Sequence, residues 1–176
     1  DLLDARFQGQ ASIANPLFGT TSVHAAALFE VLGDAEARQF FEGFIQNGGT
    51  IVSSNGEVRR RVAAGDFAVG ITDTDDFNVA YQEGRPVGVV FPDQEGMGTL
   101  IIPNAVVLIR GGPNPQAGRQ FIDYLLRPDT EKALAESEAA QIPLRPDIGV
   151  PSYVRPLQDI NPMRVDHQSL AERLDS

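Results

Sequence analysis

The sequence predicts an α/β fold in which a mainly parallel or mixed sheet carries helices on both of its faces. Short apolar segments alternate with helical patterns through the first half of the chain, as in consecutive βαβ units. Right-handed crossovers between parallel strands place the intervening helices on both faces of the sheet. In sheets of this kind, binding sites lie beyond the carboxyl ends of the strands, where the next helices begin.

The first strand candidate is ASIAN, residues 11–15, and the helical segment after it, residues 22–32, is apolar on nearly every side. A helix of that kind is expected to be buried. A second helix is predicted to have Asp34 as its N-cap and to end at Asn47-Gly48-Gly49. Its inward face is expected to carry apolar residues at helical spacing, namely Ala37, Phe40, Phe41, Phe44 and Ile45.

Two more strand and helix pairs follow. The strand TIVSS precedes the helix NGEVRRRVAAGD, for which Asn55 is the predicted N-cap and Gly65 marks the end. The strand FAVGITD precedes the helix TDDFNVAYQEG, which ends at Gly84. Arg59, Arg60 and Arg61 spread around the first of these helices, so most of this basic run is interpreted as a solvated face.

The second half of the chain predicts a strand VGVVFP and a long β segment GTLIIPNAVVLIRGG, interrupted at Pro103-Asn104. Helices are predicted over 114–128 and, after Pro128, over 129–139. The first of these helices places four residues on one face, namely Ala117, Phe121, Tyr124 and Leu125. From Gln141 onward the chain is Pro-rich and largely extended, with a short helix at HQSLAERL.

Composition and charge exclude several classes of function. The 176 residues are 42% hydrophobic and carry a formal net charge of −10, so nucleic acid and anionic membrane surfaces, which need a basic face, are not expected partners. No apolar run approaches the roughly 20 residues of a membrane span. The absence of Cys excludes thiol chemistry. The start at Asp1 rather than Met favours a processed or excised piece of a longer chain.

Three polar connections between a strand and the next helix are expected to lie at the same edge of the sheet. They are residues 15–22, 53–56 and 72–76, and we call them together the carboxyl edge. Within the first, Gly19 allows close approach of the backbone, and free N–H groups at a helix N-terminus favour an anion. The alternative is that a hydroxyl there is an ordinary helix cap.

The third connection, TDTDD, places three carboxylates close together. They raise one another's pKa values unless a cation or N–H donors compensate. One interpretation is an acidic first turn of a helix, and the other is a site for a hard metal ion or an ammonium group. The candidate ligand-binding residues are Asn15, Gly19, Thr20, Thr21, Ser22, Asn55, Asp73, Thr74, Asp75 and Asp76, with Asp75 and Asp76 as candidate metal ligands.

An enzymatic alternative rests on the same turn. An apolar strand that ends in Asp-x-Asp is similar to the pattern of haloacid-dehalogenase-type phosphatases, with Asp73 as nucleophile and Asp75 as acid or base. That pattern requires Thr or Val where this chain has Phe77, and a lysine where Lys132 is the only one. His24 and His167 show no spacing typical of a metal site, and no Gly-x-Ser-x-Gly supports a catalytic triad.

Three stretches, taken in order, resemble one family. They are IANPLFGTTSVHAAALF, VRRRVAAGDFAVGITDTDDFNVAYQEGRPVGVVFPDQEGMGTLIIPNAVVLI and AQIPLRPDI. They resemble the extracellular solute-binding proteins of bacterial ABC transporters, in the branch that includes the ferric-ion-binding proteins. Single pieces such as VAAGDFAVG are generic, whereas their order along the chain is specific.

The resemblance implies a type II periplasmic-binding-protein fold, with two α/β lobes joined by a hinge and a solute trapped between them. This chain is similar to the second lobe, and the N-terminal lobe of the same protein would be missing. The implied segments are a lobe body at 1–96, a hinge-crossing strand at 97–112, C-terminal helices at 113–140, and an extended tail with a short helix at 141–176.

The resemblance also implies a ligand. In ferric-binding relatives two adjacent tyrosines in the third turn ligate Fe(III), and the matching residues 74–77 contain no tyrosine, which weakens the case for iron. Asp75 and Asp76 remain candidate ligands for a hard cation. The accompanying anion would lie at Thr20, Thr21 and Ser22, with Asn55. A solute with a phosphate or acidic end and a cationic end also suits this edge.

The leading hypothesis is therefore a periplasmic or extracellular binding protein of an ABC importer, and not an enzyme. Its expected partners are a small solute or metal ion and an ABC permease, and no cofactor is expected other than Fe(III) or another metal ion as the transported ligand. The alternative from another class is the effector-binding domain of a transcription regulator, followed by the Asp-dependent phosphatase.

Overall fold

The sheet consists of three short parallel strands. The computed structural model describes residues 2–174, so Asp1, Asp175 and Ser176, at the ends of the predicted segments, lie outside the described residues. β1 (Ala11–Ala14) lies between β2 (Thr50–Val52) and β3 (Val69–Ile71). In the register, Ser12 of β1 is opposite Thr50 on one side and Gly70 on the other.

Helices surround this sheet, as the alternating pattern predicts. Within residues 2–174 they are α1 (Gly19–Leu32), α2 (Asp34–Gln46), α3 (Asn55–Ala64), α4 (Thr74–Gln82), α5 (Pro115–Leu125), α6 (Pro128–Ala135) and α7 (His167–Leu174), with short 3-10 helices at Ala5–Phe7 and Leu157–Asp159. None of the helices in this part of the chain combines the length and the apolar character needed to cross a membrane.

Successive side chains of a strand point to opposite sides of the sheet, and both faces of β1 are buried against helices. Ala11 and Ile13 pack with Phe44 of α2 on one face. On the other face, Ala14 packs with Val58 of α3. The prediction of helices on both faces is confirmed, and all four residues of β1 are buried.

Several local predictions are wrong at the helix starts. The N-cap of α3 is Ser54, whose hydroxyl accepts a bond from the backbone N–H of Glu57 at 3.2 Å, and Asn55 is instead the first helical residue. The residue that precedes α2 is Gly33 rather than Asp34. α1 begins three residues earlier than predicted, at Gly19.

Burial also differs from the prediction in two helices. Only three residues of α1, Ala26 to Leu28, are fully buried, so its apolar surface is not enclosed on all sides. Ile45 of α2 is 53% exposed rather than inward. The predicted face of α5 is likewise open, since Phe121 is 59% exposed and Tyr124 is 55% exposed.

The two predicted strands of the second half are absent from the described residues. VGVVFP and GTLIIPNAVVLIRGG run without ladder pairing, apart from one bridge between Thr99 and Pro162. A strand needs a partner with free backbone groups, and the three-stranded sheet offers these segments none. Val90, Val107 and Ile109 are consequently 75–86% exposed.

Hydrogen bonds and apolar packing fasten the tail to the body of the fold. Asn161 donates its backbone N–H to Gln94 Oε1 at 2.8 Å, and Met163 donates its N–H to the carbonyl of Thr99 at 2.8 Å. Leu170 of α7 packs with Ala27 of α1 in the same apolar cluster as Met163. The tail therefore supports the helix whose N-terminus reaches the carboxyl edge.

We predict that Gly70→Ala destabilises the fold by about 1–3 kcal/mol, the range for overpacking a close-packed core. A Cβ at Gly70 would lie 2.4 Å from Val58 Cγ1 and 3.1 Å from Ser12 Oγ. The matched control is Gly88→Ala, where a Cβ would meet nothing within 4 Å. Urea unfolding of both variants measures the difference, and equal midpoints would contradict the packing of α3 on β3.

Candidate functional site

The carboxyl edge brings the three predicted connections together through side-chain hydrogen bonds. Asn55 Nδ2 donates to Thr20 Oγ1 at 2.8 Å and to Asp73 Oδ2 at 2.8 Å. Thr20 donates its hydroxyl to the same Asp73 oxygen at 2.8 Å, and Thr21 donates to Asn55 Oδ1 at 3.1 Å. Residues far apart in sequence thus form one network across the ends of all three strands.

The hydroxyls of the first connection therefore have partners within the chain. Thr20 and Thr21 bond across the edge, while Ser22 donates to the carbonyl of Gly19 at 2.7 Å. Asn15 accepts the backbone N–H of Leu17 at 3.0 Å and so shapes its own turn. Ser22 and Asn15 are held locally and do not join the network.

The N-terminus of α1 remains without a side-chain cap. The residue before it, Phe18, is extended and provides no capping oxygen. Gly19 is exposed and has φ 61°, a conformation that glycine adopts without a steric penalty. The unbonded N–H groups in the first turn of α1 and the positive end of the helix dipole suit an anion.

The acidic cluster consists of Asp73, Asp75 and Asp76. One carboxylate oxygen from each of these residues lies within 4.8 Å of the corresponding oxygens of the other two. All three are partly buried. Asp73 is satisfied by the network, whereas Asp75 has no hydrogen-bond or ion-pair partner among residues 2–174. Carboxylate oxygens at this separation can hold a hard cation or an ammonium group.

The carboxyl group of Asp76 is partly buried beside the other two carboxylates of the cluster. Burial raises its pKa, the neighbouring carboxylates of Asp75 and Asp73 raise it further, and a hydrogen bond from Thr72 at 2.8 Å acts in the opposite direction. Arg59 lies 3.8 Å away and also favours the ionised form. Arg59 therefore belongs to the site, although the sequence placed the arginine run on a solvated face.

His24 occupies the turn of α1 that follows Thr20, on the same side of the helix because it is four residues further on. Burial lowers the pKa of His24, and the carboxylates of Asp73 and Asp93 act against that shift. The partial burial of His24 and its proximity to Asp73 place it at the border of the site.

A comparison with protein-family models decides to which class of protein this chain belongs. Residues 1–152 match the model of the bacterial extracellular solute-binding protein family. The chain belongs to this family. The match supports the solute-binding hypothesis and gives no support to the regulator or the phosphatase.

Individual relatives of this solute-binding chain agree with that assignment. A Salmonella typhi protein named "Putative 2-aminoethylphosphonate-binding periplasmic protein" is 26% identical over 155 residues, which are 84% of this chain and 45% of that protein. The chain therefore spans less than half the length of this curated relative.

Solved structures with low sequence identity show the same fold. The ferric binding protein of Campylobacter jejuni has a TM-score of 0.75 at 18% identity, covering 99% of this chain and 58% of the other. The periplasmic binding protein AfuA of Actinobacillus pleuropneumoniae, with fructose-6-phosphate bound, has a TM-score of 0.76 at 21% identity, covering 99% and 56%. The type II periplasmic-binding-protein fold is thereby confirmed.

The raised pKa of Asp76 leads to a prediction about stability. Folding favours the protonated carboxyl, so the stabilising contribution is fully present below the ordinary pKa of 3.8 and is lost as the pH rises through the raised value. Asp76→Asn cannot ionise and can still accept the Thr72 hydroxyl. We expect it to be more stable than the parent chain at pH 7, with a smaller difference near pH 4.

Urea unfolding at both pH values measures this difference. The control is Asp66→Asn, which removes an exposed ion pair with Arg61 of α3, the helix that also carries Arg59, and is expected to change stability little at either pH. A lower midpoint for Asp76→Asn at pH 7 would show that the ion pair with Arg59 outweighs the cost of burying the charge.

Proposed function

We propose that the protein to which this chain belongs is the solute-binding component of an ABC importer. It captures a small polar or charged solute in the periplasm or outside the cell, presents it to an ABC permease, and catalyses no reaction. The family match supports binding as the activity. The carboxyl edge supplies the polar groups that such a solute would contact.

The observation that carries this proposal is the unpartnered carboxylate of Asp75. It lies within 4.8 Å of two further carboxylates, and it has no partner among the described residues. Charges of one sign this close repel unless a cation compensates. A cationic group of the solute, or a metal ion, would supply that compensation on binding.

The chemistry of the edge favours a solute that carries both an amine and an anionic group. The acidic cluster suits the amine, and the uncapped N-terminus of α1 beside Gly19 suits a phosphate, phosphonate or carboxylate. The name of the Salmonella typhi relative describes a ligand of this class. A metal ion with an accompanying anion is the second class, with Fe(III) disfavoured because residues 74–77 contain no tyrosine.

Closure over the solute would require a second lobe. We propose that residues 2–96 form the body of one lobe and that residues 97–112 cross a hinge. Helices at 113–140 would return toward the other lobe, and the tail would wrap back. The exposed side chains of Val90, Val107 and Ile109 support this division. Such side chains are expected to be covered by strands of the other lobe.

We predict that Asp75→Asn reduces the affinity for an amine at least tenfold, because it removes the carboxylate that has no internal partner. The probe is 2-aminoethylphosphonate, titrated into the isotope-labelled chain and followed by the backbone amide resonances of residues 19–21 and 74–76. NMR titration detects the weak binding expected of one lobe.

The control is Asp123→Asn, an exposed position on α5 outside the carboxyl edge, which should leave binding unchanged. The melting temperature of Asp123→Asn should equal that of the parent chain, and that of Asp75→Asn should be no lower, because the substitution relieves repulsion between neighbouring carboxylates. The proposal fails when the amides of residues 19–21 and 74–76 are unmoved by the probe, and also when Asp75→Asn binds it as tightly as the parent.

A further inference from the structure

A narrow crevice lies between α4 and the tail, beside the carboxyl edge. Its volume is about 10 Å³, which corresponds to the space for about one water molecule. Its lining includes Thr74, Phe77 and Asn78 of α4, and Phe91, Tyr153 and Arg155. Thr74 begins α4 and stands between Asp73 and Asp75 in the sequence, so the crevice borders the acidic cluster.

Arg155 brings an unneutralised positive charge to this crevice. Its guanidinium carbon lies 5.4 Å from the ring centroid of Phe91, a cation–π contact that orients the group without cancelling its charge. The side chain is exposed, and among residues 2–174 no carboxylate forms an ion pair with it. In a chain with 24 acidic and 14 basic residues, Arg155 is an exposed guanidinium in the lining of a crevice that also includes Thr74.

Aromatic stacking fixes this part of the tail on α4. Tyr153 stacks on Tyr81 with ring centroids 4.9 Å apart, and Tyr81 contacts Phe77 at 5.7 Å. Val154, between Tyr153 and Arg155, is buried. The position of Arg155 therefore depends on packing between two segments that are far apart in sequence.

The start of the tail is anchored to the same helix. Asn78 of α4 is 2% exposed, and its Nδ2 donates to the carbonyls of Ala139 and Ala140 at 3.0 and 3.2 Å. A buried amide that satisfies two tail carbonyls holds the chain entering the tail against α4. Both sides of the crevice are thus fixed by interactions that do not involve Arg155 itself, which leaves its charge available.

We propose that Arg155 is a solute-binding residue that holds the anionic group of an amine-bearing solute. The inference rests on the proposed function and refines it: the anionic group of the solute binds Arg155 rather than the N-terminus of α1, and the amine binds Asp75. A planar guanidinium binds phosphate, phosphonate or carboxylate through two parallel hydrogen bonds. The positive charge of Arg155 and the negative charge of Asp75 would together favour a zwitterionic solute over one that carries only a positive charge.

The test measures binding of the whole probe and, separately, of compounds that carry only its phosphonate end or only its amine end. The chain is titrated with 2-aminoethylphosphonate, with methylphosphonate and with ethylamine, and binding is followed by the amide resonances of residues 19–21, 74–76 and 153–155. We expect Arg155→Gln to weaken 2-aminoethylphosphonate and methylphosphonate at least tenfold, equivalent to about 1.4 kcal/mol, and to leave ethylamine unchanged. Arg155→Lys keeps the positive charge but lacks the planar guanidinium. Its affinity for 2-aminoethylphosphonate should therefore lie between those of the parent chain and Arg155→Gln.

The matched control is Arg164→Gln, another exposed tail arginine without an ion pair among the described residues, which should leave all three probes unchanged. Equal affinity of the parent chain and Arg155→Gln for 2-aminoethylphosphonate overturns the inference while the proposed function stands. An equal loss of ethylamine binding also overturns it, because the role would then be structural. No response of any amide to any probe removes the proposed function as well.

Discussion

The side-chain amide of Asn55 is the interaction on which the candidate site depends. It donates to Thr20 and Asp73 and accepts from Thr21, and so it joins the loops that follow all three strands. A two-donor, one-acceptor amide is one of the few side chains able to bridge a hydroxyl and a carboxylate at once. The parallel sheet brings these loops to one edge, and Asn55 fixes their relative positions.

The same edge combines satisfied and unsatisfied charges. Asp73 accepts hydrogen bonds from Thr20 and Asn55, while Asp75 has no partner among residues 2–174 and the pKa of Asp76 is raised by burial. Three carboxylates within 4.8 Å of one another repel unless a cation or N–H donors compensate. Charge retained at a cost to stability is typical of binding sites, since the ligand supplies the missing compensation.

The elements that could be predicted from the sequence are those that form from local interactions. Helical patterns such as that of α2 carry their own backbone hydrogen bonds, so amphipathic spacing was sufficient to locate them. The segments VGVVFP and GTLIIPNAVVLIRGG have equally strong β patterns and remain unpaired. A strand requires a neighbour, and the sequence of the segment does not say whether that neighbour is present.

By itself the sequence determined the α/β class, the three β-to-α loops at one sheet edge and the acidic character of the third, because strand alternation and short loops are local properties. Only the tertiary structure decided that Asn55 bridges instead of capping and that Arg59 approaches Asp76. It also decided that Arg155 of the tail and Thr74 of α4 line one crevice. These depend on side chains distant in sequence meeting at one place, which no spacing along the chain encodes.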